Sequence, residues 1–178
     1  MALKATIFKA ELQVSDMDRA YYASHSLTLA RHPSETDERM MVRLLAFALN
    51  ADESLEFGRG ISADDEPDLV KKDLTGEIKL WIDVGLPDER DVRKACGRAD
   101  RVTVYLYGRG AGMWWSQNAP ALARHDNLTV VEIPQDASLA MAKLAARNMS
   151  INCSIQEGQF WLADAGESVH AEPVVLKQ

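Results

Sequence analysis

Two acidic signals lie fifteen positions apart in this chain: Pro67-Asp68, and Asp83 inside the apolar run Ile78-Lys79-Leu80-Trp81-Ile82-Asp83-Val84-Gly85. A carboxylate set in such a strand is costly to bury unless a cation meets it, and a divalent metal ion is one such partner. Pro-Asp, a gap of this length and then Asp/Glu-x-Lys is the pattern of nucleases that cut phosphodiesters with Mg²⁺. That chemistry uses two or three carboxylates converging on the ion and a cation that orients or activates the attacking water. Here the lysine position is Gly85. Mg²⁺ takes hard oxygen donors, keeps several of its waters and needs few protein groups. Asp68 from a loop and Asp83 from a strand can supply such oxygens. Glu38 joins them if its helix packs across the face of that strand. Lys94, or Arg93, lies one and a half to two turns into the helix after Asp83 and offers the positive charge that Gly85 lacks. The candidate catalytic set is therefore Glu38, Asp68, Asp83 and Lys94, the three carboxylates being the metal ligands. Lys79 shares the face of Asp83 on an ideal strand but stands roughly 13 Å along it, too far to share one metal-bound water.

Each of these residues also has a purely structural reading. Asp83 can cap the helix that starts at Pro87-Asp88 or pair with an arginine. Asp64, Asp65 and Glu66 read as a solvated acidic loop, although one of them can replace Asp68 as a ligand. Glu38 near a helix N-terminus favours the macrodipole by about 0.3–1 kcal/mol without any catalytic part. Arg90, Arg93, Lys94, Arg98 and Arg101 form a basic run that can follow a phosphate backbone or simply face solvent. Trp114-Trp115 can stack on a base, but adjacent helical residues point about 100° apart, so one of the two belongs to the core. The segment Gly108-Arg109-Gly110-Ala111-Gly112 lacks the Gly-Lys-Ser/Thr of a phosphate loop and a spaced dinucleotide fingerprint. His25, His32, His125 and His170 follow no metal spacing, and no serine or cysteine sits in a nucleophile motif.

The elements that must position these groups are legible in outline. Residues 2–14 and 21–31 alternate apolar and polar, with Ser15-Asp16-Met17-Asp18 as turn chemistry between them, which predicts an antiparallel pair. Pro33 blocks continuation. Ser34 with Asp37 resembles a capping box, or Thr36 caps, and a helix is predicted over 35–51 with Met41, Leu45 and Leu49 on its stripe. A short strand at 55–57, an acidic loop, a helical turn at 69–73 and a central strand at 77–84 follow. Next come a helix from Pro87-Asp88 to about 99, strand 101–107, helix 113–124, strand 128–133 and helix 136–147, an alternation that implies parallel crossovers. The tail reads as a hairpin around Gln156-Glu157-Gly158 with a last strand at 168–176. The fold class expected is α/β, a mixed sheet flanked by helices with extra antiparallel strands at both termini, in one domain over 1–178.

Composition narrows the setting. A chain of 178 residues, 47% apolar and 26% charged, has enough material for one sizeable core. No window approaches the roughly 18 apolar residues of a membrane span, and the alternating N-terminus reads as a strand, not a signal peptide. Cys96 and Cys153 form neither a disulfide framework nor a zinc pattern, which points to a reducing cytoplasm. A net charge of −7 argues against gripping nucleic acid with the whole surface but leaves room for a local basic groove.

Several segments resemble the YaeQ family of small bacterial proteins over essentially the whole chain. They are Ala2-Leu3-Lys4-Ala5-Thr6-Ile7, the stretch from Ser26 to Thr36 containing Arg31-His32-Pro33-Ser34-Glu35, Asp64-Asp65-Glu66-Pro67, the stretch Leu80 to Arg90, and Met113-Trp114-Trp115. The resemblance implies a restriction-endonuclease-like PD-(D/E)xK core of helix, three strands, helix and strand. It matches Asp68 to the Pro-Asp carboxylate, Asp83 to the acid of the second half-motif and Glu38 to the acid of the first core helix. The departure at Gly85 falls on catalysis rather than on fold. Two functions follow as expectations. One is a Mg²⁺-dependent phosphodiester hydrolase acting on nucleic acid. The other is a non-catalytic module binding nucleic acid through the basic helix, or a protein partner.

Overall fold

The computed structural model describes residues 4–59 and 65–178. Two strands open the chain, β1 (Thr6–Asp16) and β2 (Tyr21–Arg31), paired antiparallel in unbroken register as their alternation predicts. Helix α1 (Asp37–Leu49) follows. Its N-cap is Thr36, whose hydroxyl accepts the Arg39 N–H, whereas Ser34 bonds to His32. Then come β3 (Leu55–Phe57), β4 (Leu69–Lys72), β5 (Ile78–Val84), α2 (Glu89–Arg98), β6 (Ala99–Leu106), α3 (Ala111–Leu122), β7 (Leu128–Glu132) and α4 (Gln135–Ala142). The tail forms β8 (Asn148–Gln156), β9 (Gln159–Ala163), β10 (Ser168–Ala171) and β11 (Val174–Lys177).

The strands form two sheets, β10-β9-β8-β1-β2 and β11-β7-β6-β5-β4-β3. Both are mixed: β1 runs parallel to β8, and β5-β6-β7 are parallel while β4 and β11 are antiparallel to their neighbours. The antiparallel ends expected as additions to one sheet instead combine into a sheet of their own. Three further expectations change. The helical turn expected over 69–73 is instead strand β4, because pairing with β5 overrides a segment too short to carry a period of its own. The helix expected over 136–147 stops at Ala142, and the last strand expected at 168–176 is two strands in different sheets.

Helices α1 and α4 lie between the sheets, and α2 and α3 cover the other face of the six-stranded sheet. Every residue of α1 from Met40 through Ala48 is buried, as expected of a helix packed on several sides. Strand β5 is apolar on one face and carries Lys79, Trp81 and Asp83 on the other. Leu80, Ile82 and Val84 join the core around α1, while Trp81 joins Val92 and Ala95 of α2. This alternation decides where the acidic residues go. No helix of the described residues is long and apolar enough to cross a membrane.

Candidate functional site

Asp68 sits where β4 begins, and its backbone N–H donates to the Ile82 carbonyl at 2.9 Å. Beyond it the chain turns away at Pro67, and the Asp68 carboxylate continues the ladder by accepting the Val84 N–H at 2.8 Å. Its other oxygen accepts Arg39 Nη2 of α1, also at 2.8 Å. Arg39 in turn donates to Glu35 at 2.7 Å, and Glu35 is held by two bonds from Arg43, which is only 2% exposed. A buried guanidinium without a carboxylate would cost several kcal/mol, so Glu35 and Asp68 allow Arg43 and Arg39 to lie within a buried helix. This chain of charges ties α1 to the β4–β5 hairpin. Sequence reasoning missed Arg39 as the partner of Asp68; the spacing of four between Glu35, Arg39 and Arg43 was the available sign.

Asp83 points away from α1. It shares the face of Trp81, toward α2, and among the described residues no basic side chain comes within salt-bridge distance of it. Burial is the first cause that pushes its carboxyl up to about 7, and the nearby negative charge of Asp68 is the second. Trp81 and Arg39 oppose the shift without cancelling it. The Trp81 indole N–H is buried and has no partner within hydrogen-bond geometry among the described residues. A cavity of about 20 Å³ adjoins these groups, lined also by Asp65, Glu66 and Asp91 and by Lys94 and Arg98 of α2. Arg98 lies over the Trp81 ring, 5.0 Å from its centroid, and donates to the Asp65 carbonyl. Lys94 is exposed and lies 4.0 Å from Asp65. Arg90 and Arg93 are exposed on the same helix.

The four candidates are thus divided. Asp83 and Lys94 share a cavity. Asp68 is near Asp83, but both its oxygens are engaged, one by Arg39 of α1 and the other by the Val84 N–H of β5. Glu38 is on the opposite side of β5 from Asp83, where Ser138 of α4 donates to it at 2.8 Å. Glu38, Asp68 and Asp83 are not gathered on one point, and among the described residues no three His, Cys, Asp or Glu side chains are placed to hold a metal ion. The physical reason is strand alternation: α1 covers the face of Leu80 and Ile82, and Asp83 belongs to the other. Asp65 and Glu66, read as substitutes for Asp68, do line the Asp83 cavity, while Asp64 lies outside the described residues.

Gly85 has φ +110°, a left-handed conformation that side chains rarely adopt, and its N–H donates to the Tyr105 carbonyl. The missing motif lysine therefore coincides with a position where the chain has left strand geometry. Lys79 is surrounded by Asp73, Glu77 and Asp100, which raise its pKa and hold it away from Asp83. Both Trp114 and Trp115 are half-buried against the α2–β6 core, and Trp114 donates to the Pro87 carbonyl at 2.7 Å.

A mixed α/β protein of two sheets, with a desolvated aspartate facing a basic helix, is the class these features define. The family model described as YaeQ protein matches residues 1–173, and the chain belongs to the YaeQ family. It is 45% identical to the uncharacterized protein YaeQ of Salmonella typhi, covering 100% of this chain and 99% of that one. It is 48% identical to the protein of the same name from Escherichia coli K12 over 92% and 91% of the two chains. Two crystal structures of YaeQ proteins superpose with a TM-score of 0.94. The one from Xanthomonas axonopodis pv. citri is 54% identical and covers 97% of this chain and 98% of its own. The one from Pseudomonas syringae is 37% identical and covers 98% and 97%. These names carry the family and no reaction.

Proposed function

We propose that this protein is a metal-dependent phosphodiester hydrolase acting on nucleic acid, on a restriction-endonuclease-like core, with its centre at the Asp83 cavity. The observation that carries this reading is Asp83 itself: a half-buried carboxyl without a basic partner among the described residues, held up to about 7 at a cavity that Lys94 also lines. Groups tuned toward neutrality in a cleft are suited to proton transfer or cation binding. The donor chemistry fits Mg²⁺, because Asp83 and Asp65 on the wall of one cavity offer hard oxygens and such an ion keeps most of its waters. When bound, the ion would supply Lewis acidity toward a phosphoryl oxygen and toward water. Of the chain's own groups, Asp83 binds or holds a proton at its carboxyl, Lys94 offsets charge developing on the phosphoryl oxygens, and Arg90 and Arg93 contact backbone phosphates. Arg39 holds Asp68 in place. In this reading Glu38 supports the α1–α4 contact and stands apart from the chemistry.

Calorimetric titration with Mg²⁺ and Mn²⁺, together with cleavage assays on labelled DNA and RNA, tests the reading. Metal-dependent cleavage that disappears in Asp83→Asn and falls in Lys94→Ala is the expected result; cleavage undiminished in Asp83→Asn would refute it. A non-catalytic nucleic-acid-binding module on the same fold is the second reading. It draws support from the full engagement of Asp68 and from the conformation of Gly85. Salt-dependent nucleic-acid binding through Arg90, Arg93 and Lys94, with no heat of metal binding, would select it.

A further inference from the structure

The long edge of the five-stranded sheet is built differently from every other described sheet edge. Strand β2 spans eleven residues in unbroken register with β1, and no strand of the described residues pairs with its other side. The remaining edges are short: β10 and β11 have four residues each, β3 has three, and β11 also carries a register shift. From Tyr21 through Ala30 there is no Asp, Glu, Lys, Arg or Pro. Natural sheets blunt exposed edges with charges, prolines, bulges or brevity, and β2 uses none of these along that stretch.

The direction of its free backbone groups can be worked out. Lys9 N–H donates to Arg147 and Met17 N–H to Ile155, so the odd residues of β1 turn their backbone groups toward β8 and the even ones toward β2. Even residues of β1 are paired with odd residues of β2, Phe8 with Leu29 and Leu12 with His25. Tyr22, Ser24, Ser26, Thr28 and Ala30 therefore present N–H and C=O at the open edge. Among the described residues only the Ala30 carbonyl is taken, by Arg43 at 3.2 Å. On the inner face of the sheet Ala23, His25 and Leu27 are left half-covered at this margin, while Leu29 is buried.

We propose that this edge is a docking surface for a second copy of the chain, β2 pairing antiparallel with β2 of the partner about a two-fold axis at Ser26. The strand is complementary to itself in that register. Ser26 faces its own copy and Ser24 faces Thr28, so short polar side chains meet and no like charges oppose each other, although the whole chain carries −7. The pairing makes about six backbone hydrogen bonds from the free groups of Ser24, Ser26 and Thr28. It also lays Leu27 against His25 of the other copy, covering the half-exposed margin of the core. A closed two-fold contact consumes both β2 edges and leaves only the four-residue β10 at each end of the joined sheet.

Analytical ultracentrifugation of the full chain over a wide concentration range tests the proposal. The wild type is expected at twice 19.7 kDa, and both Ser26→Pro and the double variant Ser24→Lys/Thr28→Lys at 19.7 kDa, a twofold loss of mass with an unchanged far-UV spectrum. The proline removes the central donor, and the lysines place like charges opposite each other. If Ser26→Pro fails to fold, the lysine variant decides. Amide exchange at Ser24, Ser26 and Thr28 is slow in the wild type and fast in the variants. A wild type at 19.7 kDa throughout, or a dimer that survives in the folded variants, overturns the proposal.

Discussion

Replacing Asp83 by asparagine tests the central electrostatic feature without changing the shape of the side chain. An unfolded aspartate titrates near 3.8, while Asp83 in the fold is pushed up to about 7. The native state thus binds this proton more tightly than the unfolded chain does. As pH rises from 3.8 toward 7, the unfolded chain gives up the proton first and stability falls; above 7 the loss is complete. At about 1.36 kcal/mol per unit, the interval between 3.8 and 7 corresponds to about 4 kcal/mol. The amide of the variant cannot ionise, so Asp83→Asn is expected to be more stable than the wild type by about 2 kcal/mol near pH 5 and about 4 kcal/mol near pH 8. Urea unfolding of both proteins across that range measures the difference. Parallel stability curves, with the same gap at both ends, would refute the assignment of a raised carboxyl to Asp83. The same assay probes the proposed cation. At about a hundred times its dissociation constant, Mg²⁺ is expected to add about 2.7 kcal/mol to the wild type at pH 8 and nothing to the variant.

Three other perturbations separate the parts of the site. Arg39→Met leaves Glu35 and Asp68 buried with one cation fewer, and a loss of about 3–5 kcal/mol in urea unfolding is expected. Gly85→Lys rebuilds the linear motif but forces a side chain onto φ +110°, so it is expected to cost about 1–2 kcal/mol and to add no cleavage activity over the wild type. Gly58→Ala would place its new methyl 1.9 Å from the Pro67 carbonyl oxygen, and a lowered melting temperature in calorimetry is expected because β3 and the start of β4 must separate.

The regular elements were legible where the signal is local. Alternation in β1 and β2, the apolar run of β5 and the Pro87-Asp88 start of α2 depend on near neighbours, and the structure has them at those places. Strand β4 was not legible, because four residues carry no period and its state comes from pairing with β5 and β3. Nor was the join between the two ends of the chain: β1 pairs with β8, so Lys9 sits beside Asn148, and no local pattern announces a contact over that separation. Asp68 and Asp83 were singled out as a pair of candidate ligands, yet their surroundings differ. Asp68 is compensated by Arg39, 29 positions away, while Asp83 is left with a desolvated carboxyl.

By itself the sequence determined the types of group available, the alternation of β5, and the unusual presence of an acid within it. The pattern of β5 already marked its all-apolar face, Ile78, Leu80, Ile82 and Val84, against the mixed face of Lys79, Trp81 and Asp83; that α1 covers the first and α2 the second was a tertiary decision. Packing Leu80 and Ile82 against α1 and Trp81 against α2 sent Glu38 and Asp83 to opposite sides of one sheet. The same packing brought Lys94 to the cavity of Asp83. Side chains alternate along a strand, so the choice of face is made once for the whole strand, by the helices that cover it.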